Sequence, residues 1–136
     1  MLSYELDHTE IELRRRLTAR VQQMVQRCMV VEEQDDNSIL TRYRDFVLQI
    51  TFSELHPLMM FSLARSMPRS DLSLVDRCNE INLNGIFGTH ALSPDGGCYH
   101  YRSSCWLDTE LKPERFYEIL DRCVDEAVKG YFMLSC

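Results

Sequence analysis

The sequence lacks the features that mark membrane-spanning, secreted and nucleic-acid-binding proteins. It has no uncharged apolar run approaching the roughly 18 residues that a membrane-spanning helix needs. The first residues carry neither a basic cluster nor an apolar stretch, so we expect no secretory signal and a cytoplasmic protein. Positive charge is also scarce, since 15 Lys and Arg face 21 Asp and Glu, for a net charge of −6. Because Lys and Arg drive binding to phosphate backbones, we expect no nucleic-acid partner and no membrane partner.

Motifs of catalysis and cofactor binding are also missing. The six cysteines form no Cys-x-x-Cys unit, which zinc ribbons and thioredoxin-like proteins use. Glycine-rich phosphate loops and a Gly-x-Ser-x-Gly nucleophile turn are absent as well. We therefore predict no catalytic residue, no metal, no cofactor and no enzymatic activity. Cys28, Cys78 and Cys123 fall on the apolar faces of predicted helices, where we expect buried thiols.

Two histidines and a cysteine leave one alternative open, a small metal-binding protein or enzyme. His90 and His100 lie on opposite arms of a predicted hairpin, and Cys98 lies two residues before His100 on the second arm. If the two histidines share one face of the sheet, the three side chains have the chemistry that zinc prefers. A register change of one residue would place the histidines on opposite faces instead.

The apolar pattern predicts a single α+β domain over residues 1–136, a length that suits one domain with its own core. Helical spacing of apolar residues predicts helices over 9–28 and from 113 to about 133, and a shorter helix that ends at Asn84-Gly85. Strands are predicted over 29–31, 46–52, 58–64, 86–92 and 98–106. The order α-β-β-β-α-β-β-α indicates one antiparallel sheet with helices packed on one face.

Such a sheet leaves its second face for solvent or for a partner. Met60 and Trp106 lie in predicted strands, and Met and aromatic side chains are favoured at protein interfaces, although packing in the core is the alternative for both. Arg16 and Arg20 lie in the first predicted helix. Residues 1–28 hold five Arg and four acidic residues, so this segment has a net charge of +1 and the remainder of the chain has a net charge of −7. We predict that these four side chains form a protein-partner surface, with the arginines facing an acidic surface, including that of a second copy.

Short motifs in the C-terminal half resemble those of the YbjN family of bacterial proteins. Asn79, Gly85 and Phe87 have the spacing N-x-x-x-x-x-G-x-F, and they are followed by Asp95-Gly96, Tyr101-Arg102 and the L-x-P-E segment at 111–114. The resemblance extends over about residues 72–134.

The resemblance to this family implies a fold like that of type III secretion chaperones, which are often dimeric, and a role as a regulator of bacterial sensory transduction or stress responses. It carries over no catalytic residue. We therefore predict a non-enzymatic protein-binding module, a chaperone-like or regulatory adaptor that forms a homodimer. A dedicated secretion chaperone for an effector is a further alternative.

Overall fold

The computed structural model describes residues 8–53, 56–68, 73–107 and 111–135. These ranges hold three helices and six strands. In chain order they are α1 (His8–Cys28), β1 (Val31–Gln34), β2 (Ser38–Tyr43), β3 (Phe46–Phe52), β4 (Leu58–Ser66), α2 (Ser73–Leu83), β5 (Gly88–Leu92), β6 (Cys98–Trp106) and α3 (Pro113–Ser135). No helix within the described ranges is both long enough and apolar enough to cross a membrane.

The strands form one antiparallel sheet in the order β1-β2-β3-β4-β6-β5. The three helices contribute their apolar sides to a single core on one face of this sheet. The predicted α+β class and the packing of helices on one face are therefore confirmed. The hairpin of β5 and β6 and the long final helix also lie where the sequence predicts them.

The predicted element order was wrong in one respect, because β2 was missed. Its inward positions alternate Ile39 and Thr41, so a polar side chain interrupts the apolar alternation that marks a strand. Thr41 is fully buried only because its hydroxyl donates a hydrogen bond to the Val30 carbonyl at 2.6 Å. The turn that follows, Arg44-Asp45, also lacks the Asn-Gly or Asp-Gly pair that signals a tight hairpin.

That turn between β2 and β3 is held by side-chain contacts with α3. Arg44 has a φ of 53°, in the left-handed region that a residue with a Cβ seldom adopts. Its guanidinium lies 2.9 Å from Asp125 and 3.5 Å from Asp121, both on α3. The hydroxyl of Tyr43 donates a hydrogen bond to Asp121 as well. These contacts tie the tip of the hairpin to the final helix.

The core lies between the helices and the inward side of the sheet. Its strand members occupy alternate positions, as period-two strands require, and its helix members recur every three or four residues. The largest fully buried side chains include Ile39, Phe46, Leu48, Ile50, Met59, Phe61, Leu63, Tyr99, Tyr101, Phe116 and Leu120. Burying each large apolar side chain stabilises the fold by roughly 1.5–3 kcal/mol before the loss of chain entropy is counted.

The cysteine prediction holds for two of its three residues. Cys78 and Cys123 are buried in the core, but Cys28 is exposed. Cys28 is the last residue of α1, beyond the turn in which Met24 and Val25 pack against the core. Helical periodicity places a residue on a face but does not show where the neighbouring elements stop covering that face.

Candidate functional site

The face of the sheet that the described helices leave uncovered carries Met60 and Trp106. In the strand register Met60 pairs with Thr51 on one side and Ser104 on the other, and Leu58 pairs with Trp106. Met60 and Trp106 therefore occupy diagonal positions on neighbouring strands, within reach of each other's side chains. Leu58 and Met60 are half-buried, and Trp106 is 62% exposed. These three residues, Leu58, Met60 and Trp106, are called the apolar corner below.

The remainder of the uncovered face is mostly polar or small. Ladders across the sheet place Gln49 beside Ser62, Ser62 beside Arg102, and Ala64 beside His100. Leu40 and Val47 are the partly exposed apolar side chains of β2 and β3 on this face, and the apolar side chains of β4 and β6 larger than Ala or Cys are all at the end that carries the apolar corner. A partner that buries apolar surface on this face would be held at that end.

The two predicted arginines lie elsewhere. Arg16 and Arg20 are exposed on α1, whose apolar side packs on the covered face of the sheet. They therefore point away from the sheet and do not join the apolar corner. Arg14, two residues earlier, donates to the Ser53 carbonyl, so one arginine of this helix has a structural role. The structure divides the predicted partner surface into two, the apolar corner and the arginine face of α1 (Arg16 and Arg20).

The alternative metal site is wrong, because the register separates its ligands. His90 pairs with Tyr101, while His100 pairs with Ala91 on β5 and with Ala64 on β4. His90 consequently lies buried on the covered face, and His100 lies exposed on the other. The described part of the chain holds no group of three or more His, Cys, Asp or Glu side chains that could bind a metal ion.

Instead of a metal, His90 contacts a network of polar and aromatic groups. Its Nδ1 lies 2.5 Å from the Tyr99 hydroxyl, and its ring meets the edge of Tyr101 with 5.2 Å between ring centroids. Burial lowers the pKa of His90 below its ordinary value, and the negative charge of Glu126 only partly opposes this. The imidazole is therefore neutral at pH 7.

The side chain of Asn82 covers the outer edge of β5 at His90. The His90 amide donates to Asn82 Oδ1 at 2.7 Å, and Asn82 Nδ2 donates to the His90 carbonyl at 2.8 Å. The side-chain amide thus occupies both backbone groups that an added strand would use. The opposite edge of the sheet is β1, a short strand with exposed Glu32 and Glu33 and an irregular register.

Glu126 on α3 fixes the loop between α2 and β5. One carboxylate oxygen accepts hydrogen bonds from the amides of Ile86 and Phe87, both at 3.2 Å, and the other accepts from the Gly88 amide at 2.9 Å. The Tyr101 hydroxyl donates to Glu126 at 2.8 Å as well. Burial alone would raise the pKa of Glu126, but the hydrogen bond from Tyr101 and those from the three amides outweigh it and hold the pKa below its ordinary value.

Asn82 and Glu126 were not singled out from the sequence. Both lie within three or four residues of apolar helix positions that become buried, Cys78 on α2 and Cys123 on α3. The sequence carries no further signal for either residue, because a polar residue beside an apolar helix stripe is the ordinary pattern of an amphipathic helix. The segment 79–88 that carries the family resemblance is thus held by these two side chains.

The family model described as "YbjN: Putative bacterial sensory transduction regulator" matches residues 13–133. No match is found among the curated proteins.

Several solved structures share the fold at low sequence identity. The crystal structure of YbjN from E. coli is 12% identical with a TM-score of 0.63, and the match covers 83% of this chain and 87% of that one. The Yersinia pestis type III secretion chaperone SycH, solved with a stable fragment of YscM2, is 12% identical with a TM-score of 0.58 over 83% of this chain and 98% of that one. A chain of the ExsC-ExsE complex is 11% identical with a TM-score of 0.70, covering 88% and 97%.

Proposed function

The chain belongs to the YbjN family, and we propose that it is a non-enzymatic protein-binding module. It acts in the cytoplasm as a chaperone-like or regulatory adaptor in a bacterial stress or signalling pathway. The family's description supports a regulatory role, and proteins of the same fold have been solved as complexes with other proteins. The observation that carries the proposal is the apolar corner on the uncovered face of the sheet.

The apolar corner has the composition of a protein-binding hot spot. Trp106 is 62% exposed and stands beside two half-buried apolar residues, Leu58 and Met60. Tryptophan dominates binding energy where it is buried at an interface, and Met adapts its shape to different partners. The polar residues around the corner would supply the rim of such an interface. We infer that the partner places an apolar side chain of an extended segment against Trp106.

Strand addition is restricted to one edge of the sheet. Asn82 already occupies the edge groups of β5 at His90, whereas β1 ends the sheet on the other side. Charged side chains and an irregular register, as in β1, discourage indiscriminate pairing of edge strands. A partner segment that pairs with β1 would need basic side chains opposite Glu32 and Glu33.

Trp106 itself provides the test, because it is the only tryptophan in the chain. A partner is first isolated by co-purification from the native host, and the purified partner is then titrated while the Trp106 fluorescence is followed. Burial of the indole shifts its emission to shorter wavelength. Because truncating a hot-spot residue costs about 2 kcal/mol or more, Met60→Ser should weaken binding roughly 30-fold or more.

Leu83→Ser is the matched control, since Leu83 is an 85% exposed apolar residue on α2 outside the apolar corner. It should bind the partner with wild-type affinity. The proposal fails if the partner binds without a change in Trp106 emission, or if Met60→Ser and Leu83→Ser bind equally well. A single stoichiometric partner that is itself secreted would favour the narrower role of a dedicated secretion chaperone.

The homodimer that we predict would use the arginine face of α1. Exposed acidic side chains, Glu32, Glu33, Asp35 and Asp36, lie on and beside β1. In a twofold dimer, the arginine face of each copy can meet the acidic edge of the other. We expect a dimer by light scattering at low salt, and expect Arg16→Glu to dissociate it. Arg27→Glu, at the exposed end of α1, is the control, and a monomer at all salt concentrations would contradict the proposal.

A further inference from the structure

Arg102 is an exposed arginine near the middle of the uncovered face of the sheet. It lies on β6, and the strand register places Ser62 of β4 on one side of it and Thr89 of β5 on the other. His100 and Ser104 lie on the same face, two residues before and two residues after it along β6. The neighbours of Arg102 on this face are therefore hydroxyl groups and an imidazole, and none of these four is a carboxylate.

The guanidinium of Arg102 is available to a partner. It forms neither an ion pair nor a side-chain hydrogen bond within the described residues. The other arginine that the strands place on this face, Arg42 of β2, already lies 3.0 Å from Glu32. A guanidinium carries five N–H donors in a planar fork that matches the two oxygens of a carboxylate.

Acidic side chains are excluded from most of the sheet. The five strands β2 to β6 contain no Asp or Glu, although the chain as a whole has a net charge of −6. The acidic residues of the strands, Glu32 and Glu33, lie on β1, which is four strands away from β6 in the sheet. Four strand spacings amount to about 19 Å, whereas salt screens exposed charges beyond about 8 Å under physiological conditions. The centre of the uncovered face is thus locally positive on an acidic protein.

The distance from Arg102 to the apolar corner defines a spacing in the partner. Arg102 and Trp106 are four residues apart on β6, so they share a face and their Cα atoms are separated by about 13 Å. In an extended partner segment every second side chain faces the sheet, and two residues four positions apart span the same distance. A side chain that contacts Arg102 is therefore four positions from one that packs against Trp106, whichever way the segment runs.

From this arrangement we infer that the uncovered face recognises an extended segment in which an acidic residue lies four positions from a large apolar residue. This inference rests on the proposed protein-binding function and names the chemistry of the partner. The apolar residue packs in the apolar corner, and the carboxylate accepts a pair of hydrogen bonds from Arg102. A segment with Lys or Arg at the acidic position is rejected, because it brings a like charge against Arg102 as the interface closes.

A library of short peptides tests this specificity without knowledge of the natural partner. Peptides with randomised positions and no Trp are displayed on phage and selected separately on the full wild-type chain and on Arg102→Glu. The wild type should enrich Asp or Glu four residues from a large apolar residue, and Arg102→Glu should enrich Lys or Arg there instead. Arg102 is exposed, so the variant should unfold at the wild-type temperature.

One peptide selected on the wild type then gives the magnitude, with its affinity measured by Trp106 fluorescence. Arg102→Gln should weaken binding about ten-fold, as for the weaker of the close charge pairs measured across interfaces. Replacing the acidic residue of the peptide by its amide should have the same effect, and combining the two changes should weaken binding no further. Arg42→Gln is the matched control, because it removes the same charge from the same face three strands away, and it should bind with wild-type affinity.

The inference and the proposed function fail in different ways. The inference alone is overturned if the selected peptides lose affinity for Met60→Ser but show no preference for an acidic residue at this spacing. It is also overturned if Arg102→Gln and Arg42→Gln bind the peptide equally well. If no peptide is selected, or if Met60→Ser binds the peptides as the wild type does, the apolar corner is not a binding surface and the inference fails with it.

Discussion

Removing the Glu126 carboxylate should destabilise the protein more than removing any exposed carboxylate of α3. Glu126 accepts three backbone hydrogen bonds from the loop before β5 and one from the Tyr101 hydroxyl, which is buried. A hydrogen bond to a charged group contributes about 1.5–3 kcal/mol, and a buried hydroxyl left without an acceptor costs about 1–3 kcal/mol. Two of the amides lie in an exposed loop, where water can replace the carboxylate. We therefore expect Glu126→Ala to lose about 2–3 kcal/mol of unfolding free energy.

Glu126→Gln keeps one acceptor oxygen and should lose about half as much, roughly 1–2 kcal/mol. For a chain of this length that corresponds to a fall in Tm of roughly 3–8 °C. Thermal and urea unfolding, followed by circular dichroism and Trp106 fluorescence, measures both quantities. Glu118→Gln is the control on the same helix, because the pKa of Glu118 is also lowered, by Arg115 and then Arg122, but through solvent-exposed pairs. We expect it to unfold at the wild-type temperature.

The pH dependence distinguishes the charged hydrogen bonds from simple packing. The folded-state pKa of Glu126 lies below its ordinary value of 4.5, so the unfolded chain takes up the proton more readily. The stabilisation is therefore complete above pH 4.5 and is lost as the pH falls through the lower, folded-state pKa. The difference between wild type and Glu126→Gln should be constant from pH 7 to 5.5 and should narrow below 4.5. Equal unfolding temperatures at pH 7, or a difference that does not depend on pH, would refute this reasoning.

Three further predictions concern single side chains. Asn82→Ala should lose about 1–3 kcal/mol of unfolding free energy and aggregate faster in light scattering, because it frees the β5 edge. Asn84→Ala is the control and should match the wild type, since within the described residues its side chain bonds to the exposed Glu80 carbonyl alone; equal aggregation of the two variants would contradict the prediction. Arg44→Gly should unfold near the wild-type temperature, because relief of left-handed strain of about 1 kcal/mol offsets the lost ion pairs. Arg44→Ala keeps the strain and should unfold at a lower temperature. A higher unfolding temperature for Arg44→Ala than for Arg44→Gly would exclude strain at this turn. Since burial lowers the pKa of His90, the unfolding free energy of the wild type should fall as the pH drops from 6.5 towards the folded-state pKa. Urea titrations of His90→Gln should show no such dependence on pH, and an unchanged dependence would assign the effect to another group.

Much of the fold could be predicted because its elements have regular apolar periods. In α3 the apolar residues that recur every three or four positions, Phe116, Leu120, Cys123, Ala127, Tyr131 and Leu134, are all buried. Residues 46–52 alternate as a strand with one covered face, and that strand is β3. The missed strand, β2, places Thr41 inward, and the hydrogen bond from Thr41 to Val30 that makes this possible depends on the neighbouring strand.

The candidate sites were less predictable, because they depend on register and on packing between distant segments. The sequence alone allowed His90 and His100 to share a face, and one residue of register decided against it. Met60 and Trp106 could equally have packed in the core; they lie on the uncovered face because Met59, Phe61 and Leu63 point the other way. Arg16 and Arg20 were predicted to share a surface with them, but α1 crosses the opposite side of the sheet.

By itself the sequence determined the α+β class, the family and the position of most helices and strands, because those properties follow from local periodicity and short motifs that neighbouring residues carry. Only the tertiary structure decided that Asn82 closes one edge of the sheet, that Glu126 holds a loop some forty residues earlier in the chain, and that the ring of His90 lies buried against Tyr99 and Tyr101. Each of those contacts joins a residue to a backbone group or ring on another element. Their distances are set by how helices and strands pack, and residue order along the chain does not encode them locally.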